Sequence, residues 1–548
     1  MALSVVFFGH HVLPDPGKAY LGEGADPGAI MWFLKWWPYA LGHRLNPFVT
    51  HLVWAPSGAN LAGTTAVPAL ALLAAPLTLS AGPIVAYNVL YVLAPALSGC
   101  SAFMLARHAT RSGWAALAAG YLYGFSSYEL SKMLGHLNLA TVFVPPLAAL
   151  LVVRRVEGGL RGWRFVLPMA GLLVVQFLIS TEVFFTMTLF GGIALLLFAL
   201  FDWRERRAVA LSAGRSIVAA YLLAGAFLSP YLYYVVRGLS EPPIYDFYST
   251  LYVTDPANFV VPTVLTRFGS GAFTHLSFRF TGNLSEQSAY LGLPMLIVVA
   301  WFGWRSRRSR TAKLLLGMFI LLALCSLGPK LTLFGRPRWP LLWRPLVAVP
   351  LVKYALPARF PLYIALVVAL MAAFWLADRG VPRWAKAVLM SLAVVSLMPA
   401  WSGLFWSTPL SSPSFFSSGA FRQYLHPGDT VVIVPYGDRG QSMLWQVQSD
   451  FAFRMAGGYV TVVPPKAFSA WPIVKTLYTG EVVPRADDEL RAFVGAHNVS
   501  ALIVAAETET VWDGLFRTID PRPSSAGGVR VYRVPARVLE RYRNASPP

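Results

Sequence analysis

Five clusters of basic residues punctuate the chain before Ser407, and their spacing constrains the fold more than any other feature. They are Arg107 and Arg111; Arg154, Arg155, Arg161 and Arg164; Arg204, Arg206, Arg207 and Arg215; Arg305, Arg307, Arg308, Arg310 and Lys313; Arg379, Arg383 and Lys386. Basic loops are retained on the cytoplasmic side of a membrane, so two apolar crossings must separate each cluster from the next. The pairs are 113–127 and 137–153, 165–180 and 183–201, 216–236 and 288–304, 314–328 and 360–377. Spans at 83–106 and near 387–405 bring the count to ten and place both the segment before Gly82 and everything after Trp406 outside. Composition agrees. Charged residues are 13% of the chain and apolar ones 56%, against roughly 25% charged in soluble proteins, so lipid must solvate much of the surface.

The net charge of +20 is therefore a topological signal and gives no reason to expect a nucleic-acid partner. From Ser407 onward 14 Lys and Arg face 12 Asp and Glu, whereas the preceding part carries 31 basic and 13 acidic residues. The two cysteines, Cys100 and Cys325, sit in apolar runs and offer neither a disulfide framework nor a thiolate metal site.

Two apolar segments of the first outer loop, 9–82, are not counted as crossings. Residues 64–80 are short and interrupted by Pro68 and Pro76, so they read as re-entrant or interfacial; 28–41, with three Trp and a Lys, resembles a helix lying in the interface. Residues 2–8 are apolar but too few to cross about 30 Å of hydrocarbon, so the reading is a truncated first transmembrane helix, giving 10 to 11 in all. The expected fold class is an α-helical polytopic membrane domain, 1–406, followed by an extracytoplasmic α/β domain, 407–548. In that tail Val431–Val434, Ala501–Val504 and Val529–Val534 read as strands, and 415–426, 466–478 and 487–498 as helices.

Charge left on the outer side narrows the chemistry. Thirteen Lys and Arg lie outside the five clusters, among them Lys132, which shares SKMLGHLN with His136, Lys330 after a span, and Arg336, Arg338, Arg344, Lys353 and Arg359 in the loop 329–359. A lipid-linked phosphate at the outer leaflet would account for them; snorkelling to ordinary head groups is the bland alternative. Acidic residues are scarcer: Asp15, Glu23, Asp26, Glu129, Glu182, Glu241, Asp246, Asp255 and Glu286. Asp26 opens the Trp-rich segment, as a helix cap or as a general base or cation ligand at the membrane surface. Glu182, in ISTEVFF, is costly at that depth unless it is functional or paired, for instance with Lys132. Asp255 and Glu286 bind sugar hydroxyls or cap helices.

The segments GADPGAIMWFLKWWPYAL, LNPFVTHLVWAPSGANLAGTTAVP, GPIVAYNVL, GHLNLATVFVPPL and KYALPARFPLYIAL occur in that order between about residues 20 and 380. In that order they resemble segments of bacterial membrane proteins grouped with the GT-C superfamily of polyprenyl-phosphate-dependent glycosyltransferases. The resemblance implies a GT-C-like bundle in the bacterial inner membrane. It implies an inverting transfer of a sugar from a polyprenyl-phosphate donor to a glycan, lipid or protein acceptor outside the cytoplasm. Asp26 matches the first-loop acid taken as catalytic; Lys132, His136 and Arg359 would contact the phosphate, with Glu182 a secondary acid. Many GT-C members carry a paired acidic motif here, whereas Asp26 is followed by Pro27 and its nearest acidic neighbour is Glu23. A divalent cation, Mg or Mn, on Asp26 and Glu23 is thus an open reading.

Two rival functions remain at this level: a flippase for lipid-linked saccharides, which should show internal symmetry, and a non-catalytic envelope assembly protein. The latter would use an aromatic face in the tail, with Trp445, Tyr459 and Trp471 as candidates. No Walker-type glycine loop, HExxH, GxSxG or CxxC is present.

Overall fold

The computed structural model describes the chain apart from residues 202, 239–247, 342, 350–351, 403–405, 462, 506–508 and 548. Glu241 and Asp246 lie outside the described residues. Contacts group the chain into two compact units. The first comprises Met1–Pro14, Asn88–Ser229 and Tyr245–Ser407, the second Asp15–Tyr87, Pro230–Ile244 and Thr408–Pro548.

Each of the ten expected spans is helical. In chain order the helices are α1 (Pro83–Thr110), α2 (Gly113–Gly124), α3 (Ser127–Lys132), α4 (Val144–Val156), α5 (Trp163–Ile179), α6 (Thr181–Leu200), α7 (Trp203–Gly238), α8 (Leu293–Arg305), α9 (Arg310–Ser326), α10 (Pro361–Ala377) and α11 (Arg383–Ser396). Among the described residues, five stretches are long and apolar enough to cross a bilayer: Pro83–Thr110, Leu137–Val156, Thr181–Leu200, Arg207–Gly238 and Pro357–Ala377. The other helices of the bundle fall short of the roughly 20 residues a straight crossing requires. The last expected span, 387–405, is curtailed most. Its helix stops at Ser396, and Pro399 pairs with Thr266 in an isolated antiparallel bridge instead.

Burial sorts these helices by what surrounds them. The α10 region is 78% buried and packs against α2, α8 and α9, so it forms the centre of the unit. By contrast only 28% of the Thr181–Leu200 span and 22% of the Arg207–Gly238 span are covered by protein. Leu196, Leu200, Val218, Leu222 and Phe227 stand exposed on them. Apolar helices uncovered to this degree are solvated by acyl chains. Helices α1 and α2 touch backbone to backbone: a Cβ on Gly124 would lie 2.5 Å from the Pro95 carbonyl oxygen, and one on Gly120 2.8 Å from that of Gly99. Such close approach depends on small residues. Nearby, a groove of about 1040 Å³ runs between α1, α2 and α11, with Arg383 and Lys386 in its lining.

In the second unit the tail carries a five-stranded sheet of β1 (Thr430–Val434), β2 (Arg454–Met455), β3 (Val499–Ala505), β4 (Ser524–Ala526) and β5 (Val529–Arg533), in the order β4-β5-β3-β1-β2. Strands β3, β1 and β2 are parallel, with Val432 opposite Leu502, while β5 runs antiparallel to β3 and β4 to β5. Two expected helices of the tail are broken. Gly419, at φ 79°, separates Ser414–Ser417 from Ala420–Gln423, and Pro472 starts a new helix, Pro472–Thr479, after Lys466–Ser469.

The tail shares its unit with the first outer loop. Backbone amides of Trp54 and Ala55 donate to the carbonyls of Gly457 and Met455, and Met455 donates to Leu52. The Trp-rich segment is one helix, Asp26–Gly42, yet it does not present an open apolar face. Trp32, Trp36 and Trp37 are buried. Trp32 stacks on Trp36 with centroids 5.4 Å apart, meets Phe451 edge-on, and donates its indole N–H to Gln446 at 2.7 Å. Protein replaces the lipid interface expected there. Residues 64–80 contain two short helices, Pro68–Leu73 and Ala75–Ala81, neither long enough to cross.

Candidate functional site

The connections at one set of helix ends bring four of the sequence-selected residues together. Lys132 closes α3, Glu182 stands in the first turn of α6, Glu286 precedes α8, and Arg359 immediately precedes α10. Basic clusters occupy the far ends of α6, α8 and α10: Arg207 follows α6, Arg305 closes α8, and Arg379 and Arg383 follow α10. The four are therefore gathered at the ends remote from the clusters.

Glu286 is the hub. It accepts Lys132 Nζ at 2.7 Å on Oε2, and Arg359 Nη2 at 2.6 Å and Nε at 3.0 Å on Oε1. Lys132 donates a second bond to the Ser285 carbonyl at 2.6 Å, and its own carbonyl accepts from Tyr91. Arg359 completes the chain by donating Nη1 to Glu182 Oε2. The Lys132 and Glu286 side chains are 0% and 3% exposed, Arg359 and Glu182 19% and 24%, so the cluster has a closed end and a more open one. Burial opposes the charge on Glu286, but Arg359 and Lys132 outweigh it and hold the carboxyl below its usual range. Lys132 is pulled down to about 8 by burial, partly offset by Glu286. Both stay ionised at neutral pH. His136 is half-buried and also favours the Glu286 charge.

Glu129, one turn before Lys132 on α3, does not join them. Fully enclosed, with neither carboxyl oxygen hydrogen-bonded, it is raised by burial well above the ordinary range.

The remaining candidates fall elsewhere. Asp255 is buried and accepts the Ala257 N–H at 3.0 Å and the Gly335 N–H at 3.3 Å. It caps the 3₁₀ turn Pro256–Phe259 and ties it to the 330–340 hairpin, the capping role expected as one of its two readings. Lys353 lies with its ammonium 5.0 Å over the Tyr354 ring. Asp26 belongs to the second unit. It is the first residue of its helix, one position inside the cap residue Ala25, where a carboxylate is favoured by the helix dipole. Its Oδ1 accepts from the Tyr459 hydroxyl at 2.8 Å, a contact 433 residues apart in sequence that no local pattern signals. Glu23 is exposed, and among the described residues no three His, Cys, Asp or Glu side chains assemble as a metal-ligand set. The aromatic face imagined for the tail is also not formed: Trp445 stacks on Phe416 at 5.2 Å and Trp471 packs on Phe493, both buried. None of these candidate residues lines the groove beside α2.

A domain profile described as Domain of unknown function (DUF6311) matches residues 1–398. The chain belongs to the DUF6311 family. No curated protein sequence matches this DUF6311 member. Among solved structures it is similar to the arabinofuranosyltransferase AftD from Mycobacteria, with a TM-score of 0.59 and 15% identity over 98% of this chain and 40% of AftD. It thus spans less than half the length of AftD. An Archaeoglobus fulgidus oligosaccharyltransferase gives 0.54 and 13% over 98% and 73%, and ArnT from Cupriavidus metallidurans in the apo state 0.52 and 12% over 98% and 97%. These neighbours are GT-C glycosyltransferases, and the DUF6311 chain has their fold over nearly its whole length. It is a membrane protein.

Proposed function

We propose that this protein is an inverting glycosyltransferase of the bacterial inner membrane. It moves a sugar from a polyprenyl phosphate to a glycan, lipid or protein acceptor on the extracytoplasmic side, where the α/β tail also lies. The observation that carries this reading is the placement of Asp26. In a chain with a GT-C fold, its half-buried carboxylate sits at a helix N-terminus, oriented by the Tyr459 hydroxyl.

In the proposed reaction the acceptor hydroxyl oxygen attacks the anomeric carbon from the face opposite the phosphate. The carbon–oxygen bond to the phosphate breaks with its electron pair on the departing oxygen, and Asp26 takes the hydroxyl proton. Arg359, with His136 beside its partner Glu286, is the group proposed to bind the phosphate of the lipid donor. Lys132 acts one step back: buried against Glu286 and the Ser285 carbonyl, it fixes the carboxylate that in turn orients Arg359.

The test is turnover of a panel of polyprenyl-phosphate sugars by the purified protein, with Asp26→Asn as the comparison. Loss of a general base costs roughly 10²–10⁴-fold in rate, so the variant should fold normally and be nearly inactive. Equal transfer by wild type and variant would remove Asp26 from the mechanism.

A further inference from the structure

The two carboxylates that hold Arg359 are not equivalent. Glu286 is enclosed and bound from two sides, by Lys132 at 2.7 Å and by the Nε and Nη2 edge of Arg359. Glu182 lies at the more open end, 24% exposed, and reaches Arg359 through Oε2 alone, while its Oε1 has no hydrogen-bond partner. With both carboxyls ionised, Glu182 and Glu286 match Lys132 and Arg359 charge for charge. Adding a phosphate to the cluster would bury an uncompensated negative charge, which costs several kcal/mol in a poorly solvated site. An anion can therefore enter only by replacing one of the carboxylates. The single-contact partner at the open end is the one that can leave, and the Glu286 clamp on the opposite edge keeps the planar guanidinium aimed while it does.

We propose that Glu182 is a built-in stand-in for an anionic headgroup: it occupies the Nη1 side of Arg359 until a lipid-linked phosphate displaces it. Resting on the lipid-phosphate reading above, this makes Glu182 a specificity-setting residue. Only a ligand that carries negative charge can exchange with it, so neutral polyprenols and glycolipids without phosphate are refused at Arg359. The competition also lowers affinity for the phosphate, which favours release of the spent lipid phosphate after transfer.

The full-length protein in lipid nanodiscs, titrated with a polyprenyl phosphate and with the corresponding polyprenol, tests this. Glu182→Gln removes the competing charge and keeps the shape. It should bind the phosphate about tenfold more tightly than wild type, with polyprenol binding unchanged. Arg359→Gln should lose the preference for phosphate over polyprenol. An ion pair with a purely structural role would, when broken, leave the affinity unchanged or weaken it. Equal phosphate affinity in wild type and Glu182→Gln would thus overturn the exchange, while a retained preference of both for phosphate would leave the lipid-phosphate reading standing. If neither distinguishes phosphate from polyprenol, that reading falls and the exchange with it. Should Glu182→Gln fail to fold, Glu182→Ser carries the same comparison, since serine also suits the first turn of a helix.

Discussion

A lysine with no exposed side chain remains charged only while a carboxylate stays beside it, and this fixes how the buried cluster responds to mutation. Glu286→Gln leaves Lys132 and Arg359 facing Glu182 alone, a surplus positive charge in an enclosed site. Breaking a buried pair this way costs about 3–5 kcal/mol, so the variant should unfold at markedly lower temperature in detergent. The double variant Lys132→Met with Glu286→Gln restores charge balance and should recover much of that loss; additive destabilisation in the thermal scans would contradict the coupling. Glu129 should behave oppositely. Because burial raises its carboxyl well above the ordinary range, its contribution to stability is complete at low pH and is lost as pH rises through the folded-state value, where ionisation would bury a charge. Glu129→Gln keeps the shape without the titration. The stability of wild type relative to this variant should therefore fall steadily as pH is raised above the normal carboxylate range, and a difference constant with pH would refute the assignment. Sequence alone raised Lys132, Glu182, Glu286 and Arg359 as candidates, because charges beside apolar runs are conspicuous. It could not pair them, since Lys132 and Glu286 are 154 residues apart and only the tertiary fold decides which carboxylate each cation meets. The neighbouring Glu129 and Lys132, three residues apart on α3, would have been the natural local pair, and they are not one.

At the scale of helices, lipid supplies the legibility. A crossing must be long and apolar whatever its neighbours, so helices fall within all ten expected spans, and among the described residues five of them are long and apolar enough to cross. Their ends were less so: the final one stops at Ser396, nine residues short of its expected limit of 405, where the chain turns toward Pro399. Breaks in the tail at Gly419 and Pro472 lay within amphipathic patterns that read as continuous. The close packing of α1 on α2 carries its own prediction. A side chain at Gly124 would meet the Pro95 carbonyl at 2.5 Å, a backbone atom that cannot swing aside. Gly124→Val should force the helices apart and lower stability by about 1–3 kcal/mol, the usual range for overpacking, whereas Gly171→Val, where the same atom meets nothing within 4 Å, should be close to neutral. Thermal unfolding of the two variants side by side distinguishes them.

For the whole molecule, the proposed reaction requires the tail and the first outer loop to lie on one side of the membrane and the five basic clusters on the other. Fusions of alkaline phosphatase and of a cytoplasm-restricted fluorescent protein after the tail and within the 154–164 and 305–313 loops test this directly. Phosphatase activity is expected only at the tail and fluorescence only at the loops; the reverse pattern would move Asp26 away from any extracytoplasmic acceptor. A change of composition near residue 407 was visible, because sheet-forming alternation replaces long apolar runs. That the tail would share its compact unit with residues 15–87 was not, since their union rests on pairings such as Met455 with Leu52 and Asp26 with Tyr459 that span the length of the chain.

This discontinuity governs how the protein can be made. The tryptophans of the helix Asp26–Gly42 leave the ribosome early, but Gln446 and Phe451, which cover Trp32, are synthesised some 400 residues later. Throughout that interval the nascent chain carries an aromatic surface without its native cover. A chain that stops between Ser396 and Gln446 would carry every helix of the bundle yet lack the side chains that cover Trp32.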